Sequence, residues 1–307
     1  MGEVLVSGLT IIRNGLRLDY PFLEVIRSAL PICDEYVVVV GDSDDGTREA
    51  VVALGDPKIR IIDTVWSPLV TPRKCTLAQQ TNIGLHQCRG RWCLSLQGNE
   101  VLHERDLPHI RSLLEQHAHD PRIEALLFER LTFWADYQHI IAVYPDLFKF
   151  TVRAIKPHIG AHSIRDAMSF AIFDSWSTHG RYARAVDSGC HVYRYSGVRR
   201  AEVMATVDSQ AVHRQGGPVT DPNWMYTRYP RQFIRAWTGR HPAVMAERMA
   251  AFPPQYDLAD PRCRDAMTWR ERLRVMESAW YHRCGLPRRR ASRYELIGNY
   301  QPKQRPV

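Results

Sequence analysis

The chain has 307 residues, long for one domain and short for two full ones. Hydrophobic residues make up 45% of it and the mean hydropathy is −0.34, which allows an ample core, while no apolar run approaches the ~20 residues of a membrane span. The net charge of +8 rests on 36 Arg against 5 Lys, spread along the chain without a nucleic-acid-binding motif. That pattern sets nucleic acid aside and suits an anionic partner such as a nucleoside diphosphate or an acidic membrane face, although a GC-rich coding genome explains the Arg bias equally well.

In chain order, Leu5 to Ile12 reads as a first strand and Tyr20 to Leu30 as a first helix, with Pro21 in its first turn. Val37 to Val40 predicts a strand buried on both faces. Gly41-Asp42-Ser43-Asp44-Asp45-Gly46 breaks it, and a helix runs from Thr47 to Leu54. Lys58 to Val65 is a third strand, Ser67 to Lys74 a Pro-bearing loop, Thr76 to Gln87 a third helix and Trp92 to Gln97 a fourth strand. This alternation predicts an α/β fold with a doubly wound, mainly parallel sheet. Asp106 caps a helix over Leu107 to His117, and Ala125 to Phe133, Phe148 to Ala154 and Phe170 to Phe173 are further strands. After Asp221 strand character fades, and Pro242 to Met249 and Met267 to Tyr281 look helical. The expected division is a core over 1–200 and a mainly helical region over 201–307.

Polar side chains at the carboxyl end of a parallel strand mark the place where open α/β sheets bind nucleotides. Neither G-x-G-x-x-G nor G-x-x-x-x-G-K-[ST] is present there, so a mononucleotide held by base and ribose is the expectation. Seven Cys form no C-x-x-C pair and read as reduced thiols. With no basic segment ahead of the first strand, the default compartment is the cytoplasm, with the inner membrane face as a peripheral option.

The order of a strand, the Ser43-Asp44-Asp45-Gly46-Thr47 turn, a further strand, a helix bearing Asn82 and a strand ending in Gln97-Gly98-Asn99-Glu100 resembles family 2 glycosyltransferases of the GT-A fold, and the likeness runs to about residue 250. Thr81-Asn82-Ile83-Gly84 followed by Gly90 to Glu100 is similar to the segment leading into their D-x-D-type motif, here Gln97-Gly98-Asn99-Glu100. Arg165-Asp166-Ala167-Met168-Ser169-Phe170 is similar to a G-D-A-x-G-F segment. Val192 to Arg199 resembles a Y-H-Y-G-x-V-R segment, and His241-Pro242-Ala243-Val244-Met245 continues the likeness. The resemblance implies transfer of a sugar, with inversion, from a nucleotide-diphosphate donor to an acceptor hydroxyl on a surface glycan, a lipid-linked glycan or a small molecule. It implies Mg²⁺ or Mn²⁺ at the D-x-D-type motif. Two departures weaken that metal: Asn99 stands at a carboxylate position, leaving Glu100 as the candidate ligand, and Arg194 stands where a His ligand is common.

Asp42 and either Asp44 or Asp45 can bind ribose or base edges, with helix capping the alternative reading. Thr10, Ile11 and Arg13, beside that turn, together with Asn82, Gln97 and Asn99, complete the expected donor site. Charge on the leaving diphosphate is assigned to Arg194, with Arg199, Arg73 and Lys74 as further candidates. Asp166 is the expected general base and Asp136, set among aromatic residues, the alternative. His158 and His162, split by Gly160, make a poor zinc site. Two rival functions stay open: a non-catalytic nucleotide-binding module derived from such an enzyme, and a nucleotidyltransferase. A homo-oligomer is allowed by composition.

Overall fold

Val37 to Val40 do form the centre of a strand buried on both faces, and their side chains divide between two cores. Val38 and Val40 pack with Ile12, Phe22 and Ile26 on one side, and Val37 and Val39 with Leu9 and Leu85 on the other. Each fully buried Val contributes roughly 1.5–3 kcal/mol, so this strand fixes its own register. The computed structural model describes residues 3–67, 75–142, 150–175, 179–200, 203–204, 223–252, 254, 256–273, 275–276 and 294–297.

The first half alternates strand and helix: β1 (Val6–Ile12), α1 (Phe22–Ala29), β2 (Glu35–Gly41), α2 (Thr47–Val52), β3 (Ile59–Thr64), α3 (Thr76–Leu85) and β4 (Trp92–Ser95). These strands lie parallel in the order β3-β2-β1-β4. The chain leaves β1 toward β2 and β3, then returns to the opposite side of β1 as β4, which makes the β1/β4 gap the topological switch point. Apolar residues of α1 enter one core and Leu85 of α3 the other, so the α/β, doubly wound class is the observed one. Gly84 lets α3 approach closely, since a Cβ there would lie 2.3 Å from Leu9 Cδ1 and 2.7 Å from Val39 Cγ2.

The second half adds β5 (Glu100–Leu102), α4 (Leu107–His117), β6 (Ala125–Trp134), β7 (His139–Ile141), β8 (Phe150–Ile155), β9 (Ala161–Ile164), β10 (Ser169–Ile172) and β11 (Arg181–Gly197). β8 joins β4 antiparallel, β6 pairs antiparallel with β8, and β11 runs parallel to β6 with two register shifts. β9 and β10 form a hairpin on β11. Beyond residue 200 the described residues carry two short strands as well as helical turns: β12 (Ile234–Ala236) on β7 and β13 (Tyr294–Leu296) beside β11. Residues 269–273 and 275–276 are helical within the predicted 267–281 span, whose remainder beyond 276 lies outside the described residues. Ala243–Met245 and Ala246–Ala250 form the other predicted helical stretch. The six described cysteines are free thiols. Among the described residues no helix is long and apolar enough to cross a membrane.

Candidate functional site

A cavity of about 600 Å³ opens at the switch point, within the usual range for small-molecule sites. The carboxyl end of β1 supplies Ile11, Ile12, Arg13 and Asn14, and the end of β4 with the turn after it supplies Ser95 to Asn99. Arg130 of β6, Arg153 of β8 and Arg194 at the far end of β11 come from the central strands, with Arg199 just beyond β11. Asp166 and Met168 close the cavity from the β9–β10 hairpin. Five guanidiniums thus line the space, with Asp166 as the carboxylate among the lining residues.

The arginines are held differently. Arg13 donates through Nη2 to Asp42 Oδ2 at 3.1 Å, and its guanidinium carbon lies 5.8 Å from the Trp66 ring. Arg153, 2% exposed, donates through Nε and, at 2.7 Å, through Nη2 to the two oxygens of Glu100. Glu100 is fully buried; desolvation pushes its carboxyl up, but Arg153, with Arg130 and Arg194 behind it, holds it below the ordinary carboxylate range. Arg199 is 3% exposed and lies over the Tyr20 ring at 4.0 Å. Its Nε and Nη1, and Nε of Arg194, have no hydrogen-bond partner among the described residues. Buried donors left unpaired are costly and mark a place where a ligand oxygen can bind.

The Asp166 hairpin is built under backbone strain. Arg165 and Ala167 both have positive φ, 59° and 49°, a conformation costing on the order of 1 kcal/mol or more in a non-Gly residue. Asn82 anchors the hairpin to α3, its Oδ1 accepting from Ser163 N at 2.7 Å and its Nδ2 donating to Ser163 O at 3.0 Å. Gln97 Nε2 adds a longer contact to Ala167 O at 3.4 Å.

The structure brings Ile11, Arg13, Gln97, Asn99, Asp166, Arg194 and Arg199 to one cavity. Other expected site residues have different positions. Thr10 is fully buried, its hydroxyl bonded to Leu96 O and Tyr36 OH, so it ties β1 to its neighbours and does not line the cavity. Asn82 likewise acts on the hairpin backbone. Asp42 reaches the cavity through Arg13, and the side chain of Asp44, 75% exposed, pairs outward with Arg17. Asp45, one residue ahead of the N-cap Gly46, accepts from Thr47 N and Oγ1 at the start of α2. Asp136 is not among the lining residues; it is 1% exposed and accepts from Gln138 N and bonds His139 Nδ1 at 2.8 Å. Arg73 and Lys74 lie outside the described residues. Sequence reading missed Arg130 and Arg153, whose signal is a charge inside an otherwise apolar strand, as in Phe150-Thr151-Val152-Arg153-Ala154-Ile155.

The donor set does not fit a divalent cation. Both oxygens of Glu100 are engaged by Arg153, Asn99 offers a neutral amide, and Arg194 is a cation. Hard cations want charged oxygens, and among the described residues no three His, Cys, Asp or Glu side chains cluster in a way that holds one.

An α/β protein with a strongly cationic cavity at its switch point is what fold and site together define. No known sequence family matches the chain, and no curated protein does. Solved structures with partial likeness include S. aureus TarS 1-349 in complex with UDP, 12% identical, TM-score 0.38, covering 72% of this chain and 69% of that one. Another is the glucosyl-3-phosphoglycerate synthase from Mycobacterium tuberculosis with Mn²⁺, UDP and glucosyl-3-phosphoglycerate, 14% identical, TM-score 0.29, covering 42% and 44%. A third is the 4-diphosphocytidyl-2C-methyl-D-erythritol synthase from Anaerococcus prevotii, 13% identical, TM-score 0.32, covering 50% and 71%.

Proposed function

We propose that the cavity binds a nucleoside diphosphate sugar and that the protein is an inverting glycosyltransferase with a GT-A-type core over 1–200 and an acceptor-shaping region over 201–307. The observation that carries this is the pairing of cationic lining with one carboxylate, Asp166, across a cavity at the switch point. A diphosphate leaving group gains negative charge as the glycosidic C–O bond breaks, and preorganised guanidiniums stabilise that charge without reorganisation. Asp166 takes the proton of an acceptor hydroxyl while the acceptor oxygen forms the new bond to the anomeric carbon from the opposite face. The electron pair of the broken bond stays on the diphosphate. Arg13 and Trp66, held by Asp42, form the surface against which a base can stack. The acceptor class is a hydroxyl of a surface glycan, a lipid-linked glycan or a specialised small molecule.

A second reading, a nucleotide-binding module without turnover, is favoured by Asn99 and by the engagement of Glu100 with Arg153. A thermal-shift screen of nucleotide sugars, followed by assay of nucleoside diphosphate release, separates the two. Stabilisation with release supports the enzyme, stabilisation without release under any acceptor supports the module, and no stabilisation by any nucleotide sugar contradicts both.

A further inference from the structure

Resting on the donor-site reading above, we propose that the donor diphosphate is neutralised in this protein by Arg194 and Arg199 directly, without a divalent ion, and that Glu100 serves to anchor Arg153 beneath them. Arg194 and Glu100 are register partners across the β5–β11 ladder, but only Arg194 of the two lines the cavity. Glu100 faces inward instead. It is sealed from solvent, its oxygens accept from Arg153, its Oε2 also accepts from Gln97 N at 3.1 Å, and Arg130 Nε stands 4.0 Å from Oε1. A carboxylate so occupied has little left to offer a cation.

The guanidiniums are placed for the opposite task. Arg199 is more than nine-tenths buried, lines the cavity and has no partner for Nε and Nη1 among the described residues, with the Tyr20 ring supporting its face. An aromatic face holds a guanidinium without using its N–H groups, which stay available to bond two phosphate oxygens at once. Arg194 lines the same cavity with a further buried Nε that has no partner among the described residues. Arg130 and Arg153, 11% and 2% exposed, lie behind them with Glu100, a buried group that carries one net positive charge. The excess of positive charge thus does the work of a divalent ion, and Asn99 adds no negative charge to the same cavity.

The test is calorimetric titration of uridine, guanosine, adenosine, cytidine and thymidine diphosphates into the full chain, in EDTA and again in Mn²⁺. At least one diphosphate binds with the same affinity in both, and that affinity falls as ionic strength rises. Arg194→Met and Arg199→Met each weaken it on the order of tenfold or more, as loss of charged hydrogen bonds requires. Melting curves accompany both variants; if Arg199→Met does not fold, Arg194→Met, on a half-buried side chain near a strand end, carries the same test. Binding that vanishes in EDTA and returns with Mn²⁺ overturns the metal-free clamp and leaves the donor site standing. Wild-type affinity in the folded arginine variants overturns it too. Absence of binding by every diphosphate in both conditions overturns the donor-site reading itself.

Discussion

Arg153 of β8 and Glu100 of β5 form a two-point ion pair with almost no solvent contact, 2% and 0% exposed. It joins the turn after β4 to the centre of the sheet and decides which groups remain free to meet a ligand.

Glu100→Gln should destabilise the fold by about 3–5 kcal/mol, because it leaves the Arg153 charge buried without its partner. Urea denaturation measures this. The carboxyl is held below its ordinary range in the folded state, so its contribution is present above the unfolded carboxylate pKa and is lost as pH falls through the folded value. A loss no larger than that of an exposed ion pair would mean that water reaches the pair.

His241 gives a second pH signature. Its Nε2 lies 3.0 Å from the Tyr137 carbonyl oxygen and so carries the proton, while Nδ1 accepts from Tyr195 OH at 2.9 Å. Burial pushes the imidazole down to about 4 from 6.5. The unfolded chain therefore binds the proton first, and stability fully present above about 6.5 declines as pH falls toward about 4. His241→Gln should flatten that part of the stability profile in denaturant titrations at stepped pH; an unchanged slope would remove His241 as its source.

Asp42 accepts from Arg13 and, through Oδ1, from Trp66 N at 3.1 Å. The Arg13–Asp42 pair is 37% and 40% exposed, so it contributes about 0–1 kcal/mol to stability. Asp42→Ala should leave the melting temperature nearly unchanged and weaken nucleoside diphosphate binding several-fold, by releasing Arg13. Equal affinity in calorimetry would take the Arg13–Asp42 pair out of the nucleotide site.

The parallel half of the fold was legible because its signals are local. Four consecutive Val, a Gly-Asp turn and alternating helices leave few other arrangements, and the helix predicted over Leu107 to His117 has those bounds. β11 was not legible as a strand: its seventeen residues mix Arg, Asp, His and Gly189 at φ 65°, and its pairing with β5, β6 and β13 is non-local. At the site, Asp166, Arg194 and Arg199 were found by segment resemblance, and all three line the cavity. Thr10, Asn82 and Asp136 are not among the lining residues, and for one reason. A polar side chain near a turn looks the same in sequence whether it meets a ligand or ties two backbone segments together, and these three are bonded within the protein. Arg153 was overlooked because a charge within an apolar strand shows its meaning only once Glu100 is seen opposite.

In the proposed reaction sugar transfer takes place in this cavity with Asp166 as the base. Its most direct test compares wild type with Asp166→Asn, measuring turnover of the nucleotide sugar found by screening alongside its dissociation constant. The amide keeps the shape of the carboxyl and cannot take the acceptor proton. Because Asp166 sits on the hairpin and the diphosphate is assigned to Arg194 and Arg199, donor affinity should hold while kcat falls about 10²–10⁴-fold. Turnover at the wild-type rate with the fold intact would contradict the account.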